Sequence, residues 1–416
     1  MEVRVKAKLM AAVAALAIVF SSCATIGGSA QTAGTFIDRG IMFAMRGDFD
    51  TAIADFTEAI RLDPNLSAAY VLRGRALKAS TGNVIDIADN FSDFHGITKG
   101  GQISANQMRA YEQAIADFTQ ALRLDPNNPI TYRERGGAYS ETDDFDRAIA
   151  DYNQAIRLDP NYAPAYVSRG NTYVNYGYND LAIADYTEAI RLDSNDAWTY
   201  RNRGVTYNRK GDYDSAIADC TSAIRLNANF ASAYSERGFA YYRKRDYDRA
   251  IADYTSAIRL DPNDADAYFY RGIAYAGKGD HDNVIADFTS AIRLDPNDAD
   301  AYNWRGAAYR NKGDDDRAIT DFTSAIRLDP NDANAYYGRG ISYGNKGDFD
   351  RAIADFTSAI RLDPNYADAY DYRGDAYYAK SDYDRAIADY EAALRINPNH
   401  PYARQSLERA RQARGR

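Results

Sequence analysis

The sequence predicts an all-α chain, a solenoid of about ten helix-turn-helix repeats. Three observations carry this. An aromatic residue followed, after two intervening residues, by Arg-Gly recurs at Phe36, Tyr70, Tyr132, Tyr166, Tyr200, Tyr234, Tyr268, Tyr302, Tyr336 and Tyr370, at a spacing of 34 residues except for one of 62. Within each period, apolar residues fall twice at helical spacing, three to four residues apart. Glycine- and proline-bearing breakers separate the two halves and close each period. One such pair of helices cannot bury its apolar face alone, so neighbours must stack into a continuous core.

The chain opens with Arg4, Lys6 and Lys8, an apolar run from Leu9 to Phe20, and Phe-Ser-Ser-Cys ending at Cys23. The run is too short for a permanent membrane span. The segment resembles a bacterial lipoprotein signal, although Phe20 stands where leucine is usual. The resemblance implies that residues 1–22 are removed, that Cys23 carries lipid, and that residues 23–35 form a lipidated, flexible tether. Ala24 instead of aspartate points to an outer-membrane lipoprotein facing the periplasm. An ordinary signal cleaved nearby, with Cys23 incidental, is the alternative.

The 416-residue chain is 45% hydrophobic, with 35 tyrosines and a net charge of −9. Residues 1–22 carry Arg4, Lys6 and Lys8 against Glu2, so their removal takes the charge to −11. Such an acidic chain lacks the footprint that nucleic acid requires. Cys220 would remain as a single free thiol, which excludes an internal disulfide.

In the repeat led by Tyr268, the first helix carries Tyr268, Gly272 and Tyr275 on one face. Gly277 to Asp280 break it. The second helix carries Ile285, Phe288, Ala291 and Ile292, and Asp295-Pro296 ends it. Asp298 is placed to cap the next helix. The glycine of the first helix is present from Gly40 to Gly374, and the later alanine of the second from Ala59 to Ala393. The earlier alanine is replaced once, by Val284, and the proline twice, by Ser194 and Ala228. This pattern resembles the tetratricopeptide repeat, over residues 36–403. The resemblance implies a right-handed superhelix whose first helices, here called helix A, line a concave groove, with helix B outside. An insertion at about 79–108 interrupts the second repeat, and residues 404–416 form a basic C-terminal capping helix.

With the leading aromatic taken as position 4, as in that family, position 7 is arginine in every repeat and position 23 aspartate in every repeat. Arg271 is expected to pair with Asp287, Arg305 with Asp321, and Arg339 with Asp355, because a half-buried guanidinium needs a carboxylate to satisfy its fork. A ladder of arginines for an acidic ligand is the alternative.

Function is expected where the repeats differ. At the groove positions that the resemblance implies, the middle repeats offer Arg133, Arg201, Arg209, Arg243 and Arg310. The later repeats offer Phe239, Tyr242, Phe269, Ile273, Tyr337 and Ile341. An apolar patch rimmed by arginine suits a peptide or protein partner. Self-association stays open. The family's carboxylate clamp is matched by Asn171 and Asn202, but its cationic places hold Val167, Ser232 and Glu236, so that mode is not supported. In the insertion, Phe91, Phe94 and His95 are candidates for a partner contact or a groove plug, against a tolerated loop. His95, His281 and His400 lie far apart, and no phosphate loop, metal cluster or nucleophile motif occurs, so neither an enzyme nor a cofactor or metal is implied. The C-terminal segment carries five arginines and one glutamate, which fits a polar cap or contact with an anionic lipid surface. The function expected is a lipid-anchored interaction scaffold of the bacterial envelope. The alternative is a carrier or receptor of a small or lipidic ligand in the aromatic groove of repeats 6–9.

Overall fold

A computed structural model of the protein describes residues 32–82 and 104–415. The described residues form 21 helices in helix-turn-helix pairs and contain no strand. They fall into two compact units, Met1–Ala228 and Asn229–Arg416. The first holds repeats 1 to 5, with helices A and B at Ala33–Met45 and Phe49–Leu62, Ser67–Ser80 and Ala105–Leu124, Pro129–Glu141 and Phe145–Leu158, Ala163–Asn175 and Asn179–Leu192, and Ala197–Lys210 and Tyr213–Leu226. The second holds repeats 6 to 10, at Ala231–Arg243 and Tyr247–Leu260, Ala265–Gly277 and His281–Leu294, Ala299–Asn311 and Asp315–Leu328, Ala333–Asn345 and Phe349–Leu362, and Ala367–Ala379 and Tyr383–Ile396, followed by Ala403–Arg414. No described helix is long and apolar enough to cross a membrane.

Local chemistry sets the boundaries. In repeat 7, the Asp264 carboxylate accepts the Ala267 N–H at 3.0 Å and starts helix A. Gly279, at φ +73°, turns the chain while Asp280 N–H reaches the Tyr275 carbonyl at 3.0 Å. Asp280 then accepts from Asn283 N–H at 3.2 Å and starts helix B. Three repeats place a non-glycine residue at that left-handed turn: Asp143, Arg245 and Ser381, with φ between 61° and 63°.

The second repeat corrects the expected insertion. Residues up to Ser80 continue helix A, and helix B begins at Ala105, giving 20 residues against 14 in its counterparts. Ser104 and Gln107 form a capping box that starts this helix early. Phe91, Phe94 and His95, like Cys23 and the tether up to residue 31, lie outside the described residues. The terminal helix starts one residue earlier than expected, because the His400 ring accepts the Ala403 N–H at 3.2 Å.

Nine of the ten hairpins close on an aromatic pressed against a glycine. A Cβ at Gly272 would lie 2.9 Å from Phe288, and one at Gly340 would lie 2.7 Å from Phe356. Phe56, Phe118, Tyr152, Tyr186, Tyr254, Phe288, Phe322, Phe356 and Tyr390 hold this place and are buried. Cys220 takes it in repeat 5, its sulfur 2.8 Å from where a Gly204 Cβ would sit. Tyrosine is thus largely core and inter-helix material.

Candidate functional site

The arginine of position 7 is held by its own repeat. Arg271 donates from Nε and Nη2 to the two oxygens of Asp287 at 2.8 and 2.7 Å. Arg305 pairs with Asp321 at 2.7 and 2.8 Å, and Arg339 with Asp355 at 2.8 Å twice. The other seven repeats show the same bidentate geometry, from Arg39 with Asp55 to Arg373 with Asp389. Burial pushes the Asp287 carboxyl up against the opposing pull of Arg271. The remaining nitrogen reaches backwards along the array: Arg271 Nη1 donates to Thr255 of the preceding helix B at 3.0 Å. Thr289, Thr323 and Thr357 accept in the same way from Arg305, Arg339 and Arg373. The guanidinium carbon also lies 5.6 Å from the Tyr268 ring centroid. These arginines are therefore pins between helices, saturated by partners within the array.

In the N-terminal unit, three cations converge on one buried carboxylate. Glu134 takes Arg133 at 2.5 Å, Arg75 at 3.0 Å and Lys78 at 3.0 Å. Burial pushes its carboxyl up, but Lys78, Arg75 and Arg133 outweigh burial and hold it well below the usual range. Arg201 is corrected from the groove surface to the interior: it is 1% exposed, on a helix whose Thr199, Asn202, Thr206 and Asn208 are also buried. Arg209 is half-buried. Asn171 and Asn202 are buried, and Asn202 donates to the Asn171 amide oxygen at 3.2 Å, which also accepts from Tyr186 at 2.6 Å.

In the C-terminal unit, Phe269 is the second correction. It is buried, edge-on to Phe288 with centroids 5.2 Å apart, because position 5 turns its ring beneath its own helix B. Its neighbour at position 6 is the more open residue. Trp304 is 40% exposed and lies parallel to Phe288, and Tyr372 is 39% exposed and edge-on to Tyr337 at 5.6 Å. Tyr270, also at position 6, meets both Phe239 and Phe269. Sequence reasoning used position 6 only for the clamp; its run of Tyr270, Trp304 and Tyr372 was the available signal. Phe239, Tyr242, Ile273, Tyr337 and Ile341 are half-buried, and Arg243 is exposed 5.6 Å over the Phe239 ring. Ile341 and Tyr372 share a shallow recess with Phe356 and Asp375. Burial pushes the Tyr366 phenol up to about 12, with Arg310 opposing it.

The last repeat carries aspartate at positions 2, 5 and 9 of helix A. Asp368 meets the His400 ring at 2.9 Å, and Asp375 meets Arg409 at 3.3 Å. Asp371 is 2% exposed, and its Oδ1 has no hydrogen-bond partner among the described residues. Burial, with Asp375 adding to it, pushes its carboxyl up to about 6. In the terminal helix, Arg409, Arg411 and Arg414 pair with Asp375, Glu391 and Asp384 of the last repeat. That geometry docks the helix as a cap. No group of three metal-capable side chains occurs among the described residues.

Comparison with known proteins bears on this arrangement. Profiles described as tetratricopeptide repeat match residues 197–230, 265–298, 288–320 and 337–401. A profile described as TPR repeat matches 110–143, 136–177, 176–211, 244–279 and 306–347. No curated protein matches at a significant level. Similar solved structures include YrrB, described as a TPR protein with an unusual peptide-binding site, at 26% identity over 44% of this chain and 95% of its own, with a TM-score of 0.41. MamA is 30% identical over 39% of this chain and 94% of its own, with a TM-score of 0.38. A tetratricopeptide repeat protein from Parabacteroides merdae is 21% identical over 60% and 98%, with a TM-score of 0.44.

Proposed function

The chain belongs to the tetratricopeptide repeat family, and on that premise we propose that it is a non-catalytic scaffold whose helix-A face receives a peptide or protein partner. The observation that supports this is the division of labour among its side chains. The invariant arginines, aspartates and aromatics are consumed in holding helices together. The variable helix-A positions leave Trp304, Arg243 and Tyr372 at the surface, with Tyr372 edge-on to half-buried Tyr337 and sharing a recess with Ile341. Amphipathic aromatics and arginine on a rigid face provide large contact area at low entropic cost.

The scaffold is placed in the bacterial envelope, held through lipid on Cys23 at the outer membrane and facing the periplasm. The short apolar run and the cysteine after small residues support this placement. A photo-cross-linker at residue 304 or 341, used in cells, is expected to trap a discrete protein. A cross-linker at position 286, exposed on helix B, serves as the control. Equal labelling from both faces refutes the groove. A co-purifying small molecule displaced by substitution at Tyr372 favours the carrier alternative. Cys23→Ser is expected to release the protein from membranes; unchanged fractionation refutes the anchor.

A further inference from the structure

The strongest unexplained feature is the row of aspartates in repeat 10. Asp368, Asp371 and Asp375 stand at positions 2, 5 and 9 of helix A, three and four residues apart, so they share one face. No other repeat of the C-terminal unit carries an acid at position 5 or 9. The outer two are open, with side chains 58% and 44% exposed. Asp371 between them is 2% exposed, and its Oδ1 accepts no hydrogen bond from the described residues. Its carboxyl is turned into the row, where Asp375 and Asp368 act on it against His400 and Arg409. His400 is spent as a neutral ring, accepting the Ala403 N–H at Nδ1 and donating from Nε2 to Asp368. Arg409 and the Tyr390 hydroxyl both reach Asp375 at the same oxygen, Oδ1. Even counting Arg310, which acts on the neighbouring Tyr372, three carboxylates face two arginines among the described residues. Beside the row lies a recess of about 140 Å³, walled by Ile341, Phe349, Phe356 and Tyr372, and Asp375 is its only charged lining residue. Gly344 also lines it, and a Cβ there would meet nothing within 4 Å.

Carboxylates one helical turn apart repel each other, and burial sharpens the repulsion; a cation relieves both. The three do not converge closely enough to ligate one metal ion. An apolar recess with carboxylates along one side fits a long side chain that carries its charge behind a stem of methylenes. The Tyr372 ring beside it favours a cation further. We propose that the aspartate row of repeat 10 and this recess form a docking site for a lysine or arginine side chain of the partner polypeptide, its stem in the recess and its head between Asp371 and Asp375. This rests on the helix-A face being a polypeptide-binding surface, and it assigns a basic segment to the partner.

The test uses the full chain and a fluorescein-labelled, C-terminally amidated tetralysine peptide, read by fluorescence anisotropy. Binding that weakens with salt is expected. Asp371→Asn keeps the shape but removes the buried charge, and is expected to weaken binding about tenfold. The same change relieves an unpaired carboxylate, so a loss of folding does not account for a loss of binding. Gly344→Leu fills the recess from an open position and is expected to weaken binding by a similar factor, with the thermal melt nearly unchanged. Asp282→Asn removes the same charge from the exposed side of helix B in repeat 7 and is expected to leave binding unchanged. No binding of tetralysine, equal losses in Asp371→Asn and Asp282→Asn, or spermidine bound as tightly as the peptide and lost with Asp371→Asn would overturn the proposal. Cross-linking from residue 304 reports on the scaffold separately. A partner trapped there with no tetralysine binding sinks this site alone. Nothing trapped, with tetralysine binding that depends on Asp371, supports the site and counts against the scaffold.

Discussion

Replacing Arg271 by alanine removes three hydrogen bonds at once, two to Asp287 and one to Thr255. The larger effect is on what stays behind. The Asp287 side chain is only 5% exposed, so its charge loses its partner in a poorly solvated place. Breaking a buried pair costs about 3–5 kcal/mol. The guanidinium is 17% exposed, which admits some water and places the loss near the lower end, about 3 kcal/mol. Asp287→Ala is expected to cost a similar amount, because it strands the guanidinium. The double variant strands neither, so its loss falls well short of the sum, with a coupling of about 2–3 kcal/mol. Arg271→Lys keeps the charge but not the fork, and loses about 1–2 kcal/mol. An array of repeats opens in segments, so urea unfolding is to be read together with native-state hydrogen exchange in residues 265–294. Single losses that add to the double within about 0.5 kcal/mol would refute the pairing as an energetic unit.

Other consequences are equally direct. Gly340→Ala drives a Cβ to 2.7 Å from the Phe356 ring and is expected to cost about 1–3 kcal/mol, read by urea melts. Arg245→Gly relieves a left-handed residue at φ 61° and is expected to stabilise by roughly 1 kcal/mol, read the same way; a loss of stability would show that the Arg245 side chain matters more than its backbone. Burial, with Asp375 adding to it, pushes the Asp371 carboxyl from 3.8 up to about 6, so it holds its proton more tightly when folded. The unfavourable term is absent below pH 4, grows as pH rises to 6, and then levels at up to about 3 kcal/mol. Asp371→Asn is therefore expected to stabilise at pH 7.5 and to be neutral at pH 3.5; thermal melts that shift equally at both would refute this. Lys312→Ala breaks an exposed pair with Asp282 and is expected to change stability by less than about 0.5 kcal/mol.

The fold was legible because its grammar is periodic. Glycine, alanine and aromatic recur at fixed helical offsets, and each offset has one packing solution. The pairing of Arg271 with Asp287 was legible for the same reason, since ten co-occurring opposite charges leave little else for them to do. The threonine partner was not. Thr255 stands one repeat back, and its residue type suits any exposed helix position. The groove was harder still. Position 5 reads as surface in a flat list of variable residues, yet Phe269 turns under its helix B, while Trp304 at position 6 stays open. Which side of a helix a variable residue shows depends on the tilt of its neighbours, which spacing alone does not encode. The Glu134 cluster unites charges separated by 59 residues and an insertion, and only folding brings them together.

The arginine pin has a consequence for how such a chain can change. Arg271 seeks an aspartate on its own helix B and a threonine on the one before, and neighbouring joints in the C-terminal unit offer the same two groups. The joints are interchangeable parts. A duplication or deletion in frame with the 34-residue period leaves each surviving joint chemically complete, so the array can lengthen or shorten without inventing new contacts. What such an event alters is the order of the helix-A side chains along the face. Chain length and recognition can therefore drift in separate steps, with the first costing the fold little.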